Sequence, residues 1–269
     1  MTEEWRLIKS EFNDAYTNMA IDEAILISRI DNRVPNTIRF YRWRPSAVSL
    51  GFSQQVEREV ELEACEQLGV DVVRRPTGGG SVYHDSNGEL TYSIVTSSDK
   101  IPSDVISLYR YLCHGIVLAC RKLGLGAELS FDERGRQCPN IVVNGKKISG
   151  SAQTQRKSAL LQHGTILIDS DLETMRRVLK MGRPTASMPQ ETLESRVTTL
   201  RRALARPVSF GEVEGFLRLG FEGAFQMKLT EQPLSQYEME LSSKLRQTKY
   251  STQAWNLRRE TESTSSSQR

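Results

Sequence analysis

Three consecutive glycines constrain this chain more than any other feature. They lie in Arg74-Arg75-Pro76-Thr77-Gly78-Gly79-Gly80-Ser81-Val82-Tyr83-His84-Asp85. Glycine loses more conformational freedom on folding than any other residue, so a run of it weakens whatever element holds it. In return it opens positive φ and lets bare backbone approach another group closely. Val70-Asp71-Val72-Val73 leads in like the end of a strand, and Ser81-Val82-Tyr83 leads out. A strand, a glycine turn with bare N–H groups and two adjacent arginines suit a phosphate or a carboxylate. No Gly-Lys-Ser/Thr follows, so this is not a P-loop, and the spacing is not the dinucleotide fingerprint. The alternative is a tight hairpin with two surface arginines.

At 269 residues the chain can build one large domain or two small ones. Its 38% hydrophobic and 26% charged residues match an ordinary folded protein rather than a disordered one. A net charge of +3, spread along the chain, argues against a nucleic-acid partner and would suit an acidic protein equally well. The four cysteines, Cys65, Cys113, Cys120 and Cys138, match no zinc spacing. Cys113 and Cys120 share one apolar helical face and read as buried small hydrophobes. Met1-Thr-Glu-Glu-Trp-Arg carries no apolar signal region, and no stretch approaches the roughly 18 apolar residues of a membrane span. The expectation is a cytoplasmic, reduced protein with no membrane partner.

In chain order, Asn13 or Asp14 can cap a helix running to about Ile30. Residues 37–43 and 47–51 read as paired strands, 58–69 as a short acidic helix and 70–75 as a strand. Glu89 to Val95 alternates as another strand. Val105, Leu108, Leu112, Ile116, Ala119 and Leu123 recur at helical spacing up to Gly124. Residues 125–137 read as irregular. Residues 141–149 form a hairpin around Asn144-Gly145. A strand over 160–168, a helix over 171–181 and a loop over 183–195 follow. Ser209-Phe-Gly-Glu212 reads as a capping box for a helix to about Met227. A last helix spans about 236–248, and residues 258–269 read as a disordered tail. Helices and strands mix without strict βαβ alternation. The fold class is therefore α+β, with a largely antiparallel sheet and flanking helices.

A second constellation follows the hairpin. Lys146 and Lys147 are adjacent on a strand, so they point to opposite faces, just before the small residues Ser149-Gly150-Ser151-Ala152. An inward lysine is rare unless it meets an anion. Gln162-His163-Gly164-Thr165 on the next strand would return His163 towards that lysine. The bland reading is a solvated basic pair and a satisfied core histidine. With an anion-binding turn nearby, lysine, arginine and backbone donors around one pocket would suit an acyl adenylate.

These residues resemble the lipoate–protein ligase and octanoyltransferase family. The resemblance rests on residues 74–85, on Gly145-Lys-Lys147-Ile-Ser-Gly-Ser-Ala, and on Gln162-His163-Gly-Thr-Ile-Leu. Asn18-Met-Ala-Ile-Asp-Glu23 and Lys249-Tyr-Ser-Thr-Gln-Ala-Trp255-Asn extend it over residues 5 to about 257. It implies a biotin/lipoate ligase-like catalytic domain over residues 1–257. By motif match, Arg75 and the backbone of Gly78, Gly79, Gly80, Ser81, Val82 and Tyr83 would bind ATP. Lys147 would hold the carboxylate and the α-phosphate. His84, His163 and Gly150 would contact the lipoyl substrate.

The resemblance implies one of two activities. Gly80 stands where octanoyltransferases of the family tend to carry an arginine that would crowd a nucleotide. The leading expectation is therefore an ATP- and Mg2+-dependent lipoate–protein ligase. Its ligase loop differs, however: Asn140 stands where ligases carry an aspartate near the metal, and would offer Mg2+ only a neutral oxygen. The alternative is an octanoyltransferase in which Cys138 takes octanoate from acyl carrier protein as a thioester. A third reading is a lipoyl- or biotin-binding regulatory protein without the chemistry. The implied acceptor is a lipoyl carrier domain, such as a 2-oxoacid dehydrogenase E2, a glycine cleavage H protein or a related lipoate-binding protein. Longer lipoate ligases add a C-terminal domain for which this chain is too short. Either a separate accessory subunit supplies it, or the catalytic domain works alone.

Overall fold

The computed structural model describes residues 3–131, 138–180 and 192–260. Its strands are β1 (Glu3–Asn13), β2 (Thr37–Trp43), β3 (Ala47–Leu50), β4 (Asp71–Arg74), β5 (Val82–His84) and β6 (Glu89–Ser97). They continue with β7 (Ala127–Ser130), β8 (Asn140–Val143), β9 (Lys146–Arg156), β10 (Ala159–Leu167) and β11 (Met227–Glu231). Eight of them form one sheet in the order β11-β1-β2-β6-β10-β9-β8-β7, and the other three form a small sheet in the order β4-β3-β5. β1 runs parallel to both β11 and β2, and β3 runs parallel to β4. Every other pairing is antiparallel. This is the expected α+β architecture.

Strict alternation along β2, β6 and β10 gives the large sheet two unlike faces. Ile38, Phe40, Leu90, Ile94, Leu160 and Ile166 point to one side. There they pack on the helices Val105–Lys122 and Phe210–Phe225 through Leu112, Ile116, Leu217 and Phe221. The two helices cross so closely that a Cβ on Gly115 would lie 2.2 Å from the Phe221 ring. Arg39, Tyr41, Trp43, Thr91, Ser93 and His163 take the alternate positions. The helix Ala15–Ile30 covers part of that second face through Ile21 and Ile25, and the small sheet brings a second cluster around Val48, Leu50 and Tyr83. Among the described residues no helix is long and apolar enough to cross a membrane.

Local signals set most of the elements. Asp14 caps the first helix through Thr17 N, and Asn144 and Gly145 both take positive φ at the β8–β9 turn. Cys65, Cys113 and Cys120 are buried, and Cys138 is half-buried. The departures have physical reasons. β1, β7 and β11 lie at or near the sheet edges, and their pairing depends on distant partners. The helix expected over 58–69 is two pieces, Val56–Glu59 and Leu62–Leu68, because Val60 between them bridges to Leu179. The small-residue stretch after Lys147 is no turn: β9 runs through it, paired with β10 from Ser149 to Arg156. At the Phe210–Phe225 helix only half of a capping box forms. Ser209 caps Glu212 N, but the Glu212 carboxylate goes to Arg206. The complete box is Ser235 with Glu238, on the helix Gln236–Leu245. Within the loop expected over 183–195, residues 193–196 are helical and the part to 191 lies outside the described residues. Within the expected disordered tail, Arg258 ends the short helix Gln253–Arg258, and residues 261–269 lie outside the described residues.

Glu238 does more than cap. It takes both Nη groups of the buried Arg6, at 2.8 and 2.6 Å, and so ties β1 to the helix Gln236–Leu245. Burial alone would raise its pKa, but the bonds from Arg6 and Ser235 hold it below the usual range. Glu238→Ala strands a buried guanidinium. We expect it to cost about 3–5 kcal/mol, read as a fall in the urea midpoint at unchanged slope.

Candidate active site

A cavity of about 500 Å3 lies between the two sheets. The second face of the large sheet supplies Tyr41, Trp43, Thr91, His163 and Thr165, and the first helix adds Met19. Ser49 and His84 come from the small sheet. The glycine turn contributes Gly79, Gly80, Ser81 and Val82. Cys138, Asn140, Lys147, Gly150 and Arg196 also line it. The cavity thus gathers most of the residues expected from sequence. Gly78 and Tyr83 stay outside its wall, and alternation along β5 turns Tyr83 into the core beside Val48 and Leu50.

Arg75 organises this site. Its buried guanidinium makes five hydrogen bonds. Nε donates to Thr77 Oγ1 at 3.1 Å, and Nη1 to Ser49 O at 2.9 Å and Ser49 Oγ at 3.2 Å. Nη2 donates to Gly78 O at 2.7 Å and Gly80 O at 2.6 Å. A guanidinium has five N–H groups, so the protein satisfies them all. Burial lowers its pKa to about 10, which leaves it charged at neutral pH. The glycines are needed for this closeness. Gly79 has φ +85, and a Cβ there would sit 3.1 Å from Arg75 Nη2. A Cβ on Gly51 would sit 2.0 Å from Gly79 O. Arg74 is buried too, and donates to the carbonyls of Gly51, Phe52, Gln54 and Trp255. Neither arginine is therefore a surface charge. Both hold backbone carbonyls in place.

Two relays leave Arg75. Thr77 Oγ1 is 2.7 Å from His163 Nε2, and His163 Nδ1 is 3.2 Å from Asp22 Oδ2. Burial lowers the His163 pKa, so the ring is neutral. Its Nδ1–H then donates to Asp22, and Nε2 accepts from Thr77. Burial alone would raise the Asp22 pKa. The His163 and Tyr41 hydrogen bonds and the Arg39 charge instead hold it below the usual range. In the second relay Ser49 Oγ is 2.8 Å from His84 Nε2, and His84 Nδ1 is 3.2 Å from Glu89 Oε2. Burial, then Arg75, pulls the His84 pKa far down, while burial pushes that of Glu89 far up. His84 also stacks on Trp43 with centroids 3.9 Å apart. Both ring nitrogens of each histidine are engaged by protein groups, and both side chains line the cavity wall.

The reactive groups lie across from this wall. Lys146 is exposed and donates to Glu194 O at 2.8 Å. Lys147 turns into the cavity, where burial and then Arg75 lower its pKa to about 8. A Cβ on Gly150 would lie 2.6 Å from Lys147 Nζ, so glycine there leaves room for the amine. Cys138 accepts a hydrogen bond from Tyr109 Oη at 3.2 Å. Its Sγ lies 3.5 Å from where a Cβ on Gly79 would be. A thiol, an amine able to take a proton near neutrality and a partly apolar cavity are the parts of an acyl transfer. Among the described residues no group of three or more His, Cys, Asp or Glu side chains could hold a metal ion. Sequence reasoning missed Tyr109, Thr77 and Trp43. The first is one more apolar-face residue of a helix, and the others act through partners remote in sequence.

The profile of the family described as the lipoyl protein ligase A/B catalytic domain matches residues 14–222. The octanoyltransferase LipM of Brevibacillus brevis is 37% identical to this chain, covering 96% of it and 100% of the relative. LipM of Bacillus subtilis is 32% identical, with 96% and 99% covered. A bi-partite lipoate protein ligase from Thermoplasma acidophilum matches the structure with a TM-score of 0.81 at 31% identity, covering 95% and 96% of the chains. A lipoate-protein ligase A bound with ATP matches with 0.81 at 31% identity, covering 96% and 99%. The chain belongs to the lipoyl protein ligase A/B catalytic domain family.

The curated relatives overturn the expectation of an ATP-dependent lipoate–protein ligase, because they are octanoyltransferases over nearly the full length. The inference from Gly80 fails with it. Gly80 lines the cavity, and the full-length octanoyltransferase relatives show that glycine there does not by itself mark a ligase. If Arg75 is the organiser, Arg75→Lys should not replace it, since an ammonium cannot reproduce the planar five-donor set. We expect a loss of about 3 kcal/mol or more in urea unfolding, from hydrogen bonds worth about 1.5–3 kcal/mol each.

Proposed function

We propose that this enzyme transfers an octanoyl group from a carrier-bound thioester to the ε-amine of a lysine on a lipoyl carrier domain, with Cys138 carrying the acyl group in between. The observation that carries this reading is the joint placement of Cys138 and Lys147 on the wall of one cavity. The octanoyltransferase relatives support the donor class. A thioester is already activated, so this chemistry needs no adenylation.

In the first half-reaction the neutral Lys147 amine takes the Cys138 thiol proton. The thiolate attacks the thioester carbonyl, the carrier's carbon–sulfur bond breaks, and the carrier leaves as a thiolate that accepts the proton from Lys147. In the second, the acceptor lysine's amine attacks the Cys138 acyl thioester. An amide bond forms, the carbon–sulfur bond to Cys138 breaks, and Lys147 takes the proton released by the nitrogen and returns it to the leaving Cys138 sulfur, which restores the thiol and the neutral amine. The acyl chain would run into the cavity towards Met19, Tyr41 and Trp43. The donor would be octanoyl-acyl carrier protein. The acceptor would be a domain of the kind found in 2-oxoacid dehydrogenase E2 subunits or the glycine cleavage H protein.

The test mixes the protein with acceptor domain and octanoyl carrier protein without ATP, beside a second mixture of lipoate, ATP and Mg2+. Mass spectrometry should find octanoylated acceptor in the first, and an octanoyl adduct on Cys138 when the acceptor is left out. Transfer should vanish in Cys138→Ser. Acceptor modification with AMP release in the second mixture alone would refute the proposal. Lys147→Ala should slow transfer by about 10²–10⁴-fold, the usual range for a general base. The pH profile follows from the lowered lysine. Only the neutral amine accepts a proton, so the rate should climb with pH and level off above about 8, and Lys147→Ala should erase that limb.

A further inference from the structure

We infer that Tyr109 is a positioning residue for Cys138: its hydroxyl holds the sulfur in place and favours the thiolate. This rests on the acyl-transfer reading only for what the thiolate does next. Tyr109 stands in the second turn of the Val105–Lys122 helix, with its ring buried in the core beneath the large sheet. Its hydroxyl meets the site through the Cys138 sulfur, which lines the cavity. Its hydroxyl donates to Cys138 Sγ at 3.2 Å. The ring fixes the donor, so the bond also fixes the direction of a short side chain that could otherwise rotate about χ1.

The surroundings assign the other roles. Arg75 and Lys147 are the cations facing Cys138 from the glycine turn and from β9. Cys113, one turn further along the Tyr109 helix, also faces it, and burial pushes its thiol up to about 11, which leaves it neutral. Burial is the largest cause that drives the Tyr109 pKa far above its ordinary value, followed by the Cys138 hydrogen bond. The phenol therefore stays protonated, and a donor, at every working pH. A hydrogen bond to the charged form stabilises that form relative to the thiol. Removing the bond takes that stabilisation away.

The test is selective because the other three cysteines are buried. The full-length protein and Tyr109→Phe, which keeps the ring and deletes the donor, are alkylated with iodoacetamide across a pH series, with Cys138→Ser as the blank. The midpoint of the Cys138 alkylation rate should move up by about one pH unit. Below the midpoint that is about tenfold slower alkylation, the effect of losing one hydrogen bond to a charged group. Octanoyl transfer should lose kcat, at nearly unchanged KM for the carrier. Biosynthetic 2-fluorotyrosine at position 109, a more acidic phenol of nearly the same size, should shift the midpoint down and keeps the test open if Tyr109→Phe folds poorly. Midpoints that do not respond to either change would overturn the assignment, leaving Tyr109 a packing residue. Alkylation reads the thiolate whatever the acyl donor is. A shifted midpoint without octanoyl transfer would therefore count against the proposed reaction and not against the hydrogen bond.

Discussion

The guanidinium of Arg75 is the interaction on which the site depends. It is buried with all five N–H groups satisfied, and two of its acceptors are carbonyls of the glycine turn. A buried charge is tolerable only when its hydrogen-bonding capacity is met. The turn must therefore fold around it, and positive φ at Gly79 with the tight approach to Gly51 are the geometric consequences. The same side chain joins the turn to both histidines through Ser49 and Thr77, and through them to Glu89 and Asp22. Removing any one of these partners would leave a buried polar group unpaired, which costs more than one hydrogen bond normally contributes.

The second constraint is the period of the large sheet. Alternation on β2, β6 and β10 gives one face to the helical core and the other to the relays and the cavity. A one-residue slip would exchange them. That unlike pair of faces lets a half-polar cavity form inside a well-packed protein. Lys147 lies on β9 of the same sheet, and the small residues after it form strand floor rather than turn. Gly150 leaves the room that the lysine amine occupies.

Much of this was legible beforehand. A cap at Asn13 or Asp14, of which the structure uses Asp14, the Asn144-Gly145 turn and the amphipathic helix ending near Leu123 are local signals, and local signals survive folding. The convergence of the glycine turn, Lys147, His163 and Cys138 was also readable, because family resemblance carries non-local information that propensity lacks. What could not be read were the edge strands, whose pairing depends on remote partners, and the role of Tyr109, which looks like any core residue of a helix. The weight placed on Gly80 shows the limit most clearly. A single glycine does not separate ligase from octanoyltransferase, and the full-length relatives are octanoyltransferases.

The sequence by itself determined the α+β class, the glycine turn, the inward lysine and most of the residues that line the cavity. Those follow from backbone freedom, strand period and side-chain chemistry, all of which act over a few residues. Only the tertiary structure decided that Arg74 and Arg75 face carbonyls rather than solvent, and that the histidines are wall. It also decided that Cys138 rests against Tyr109. These outcomes depend on which donors and acceptors remain after distant strands have packed, and burial makes each unmet group too costly to leave.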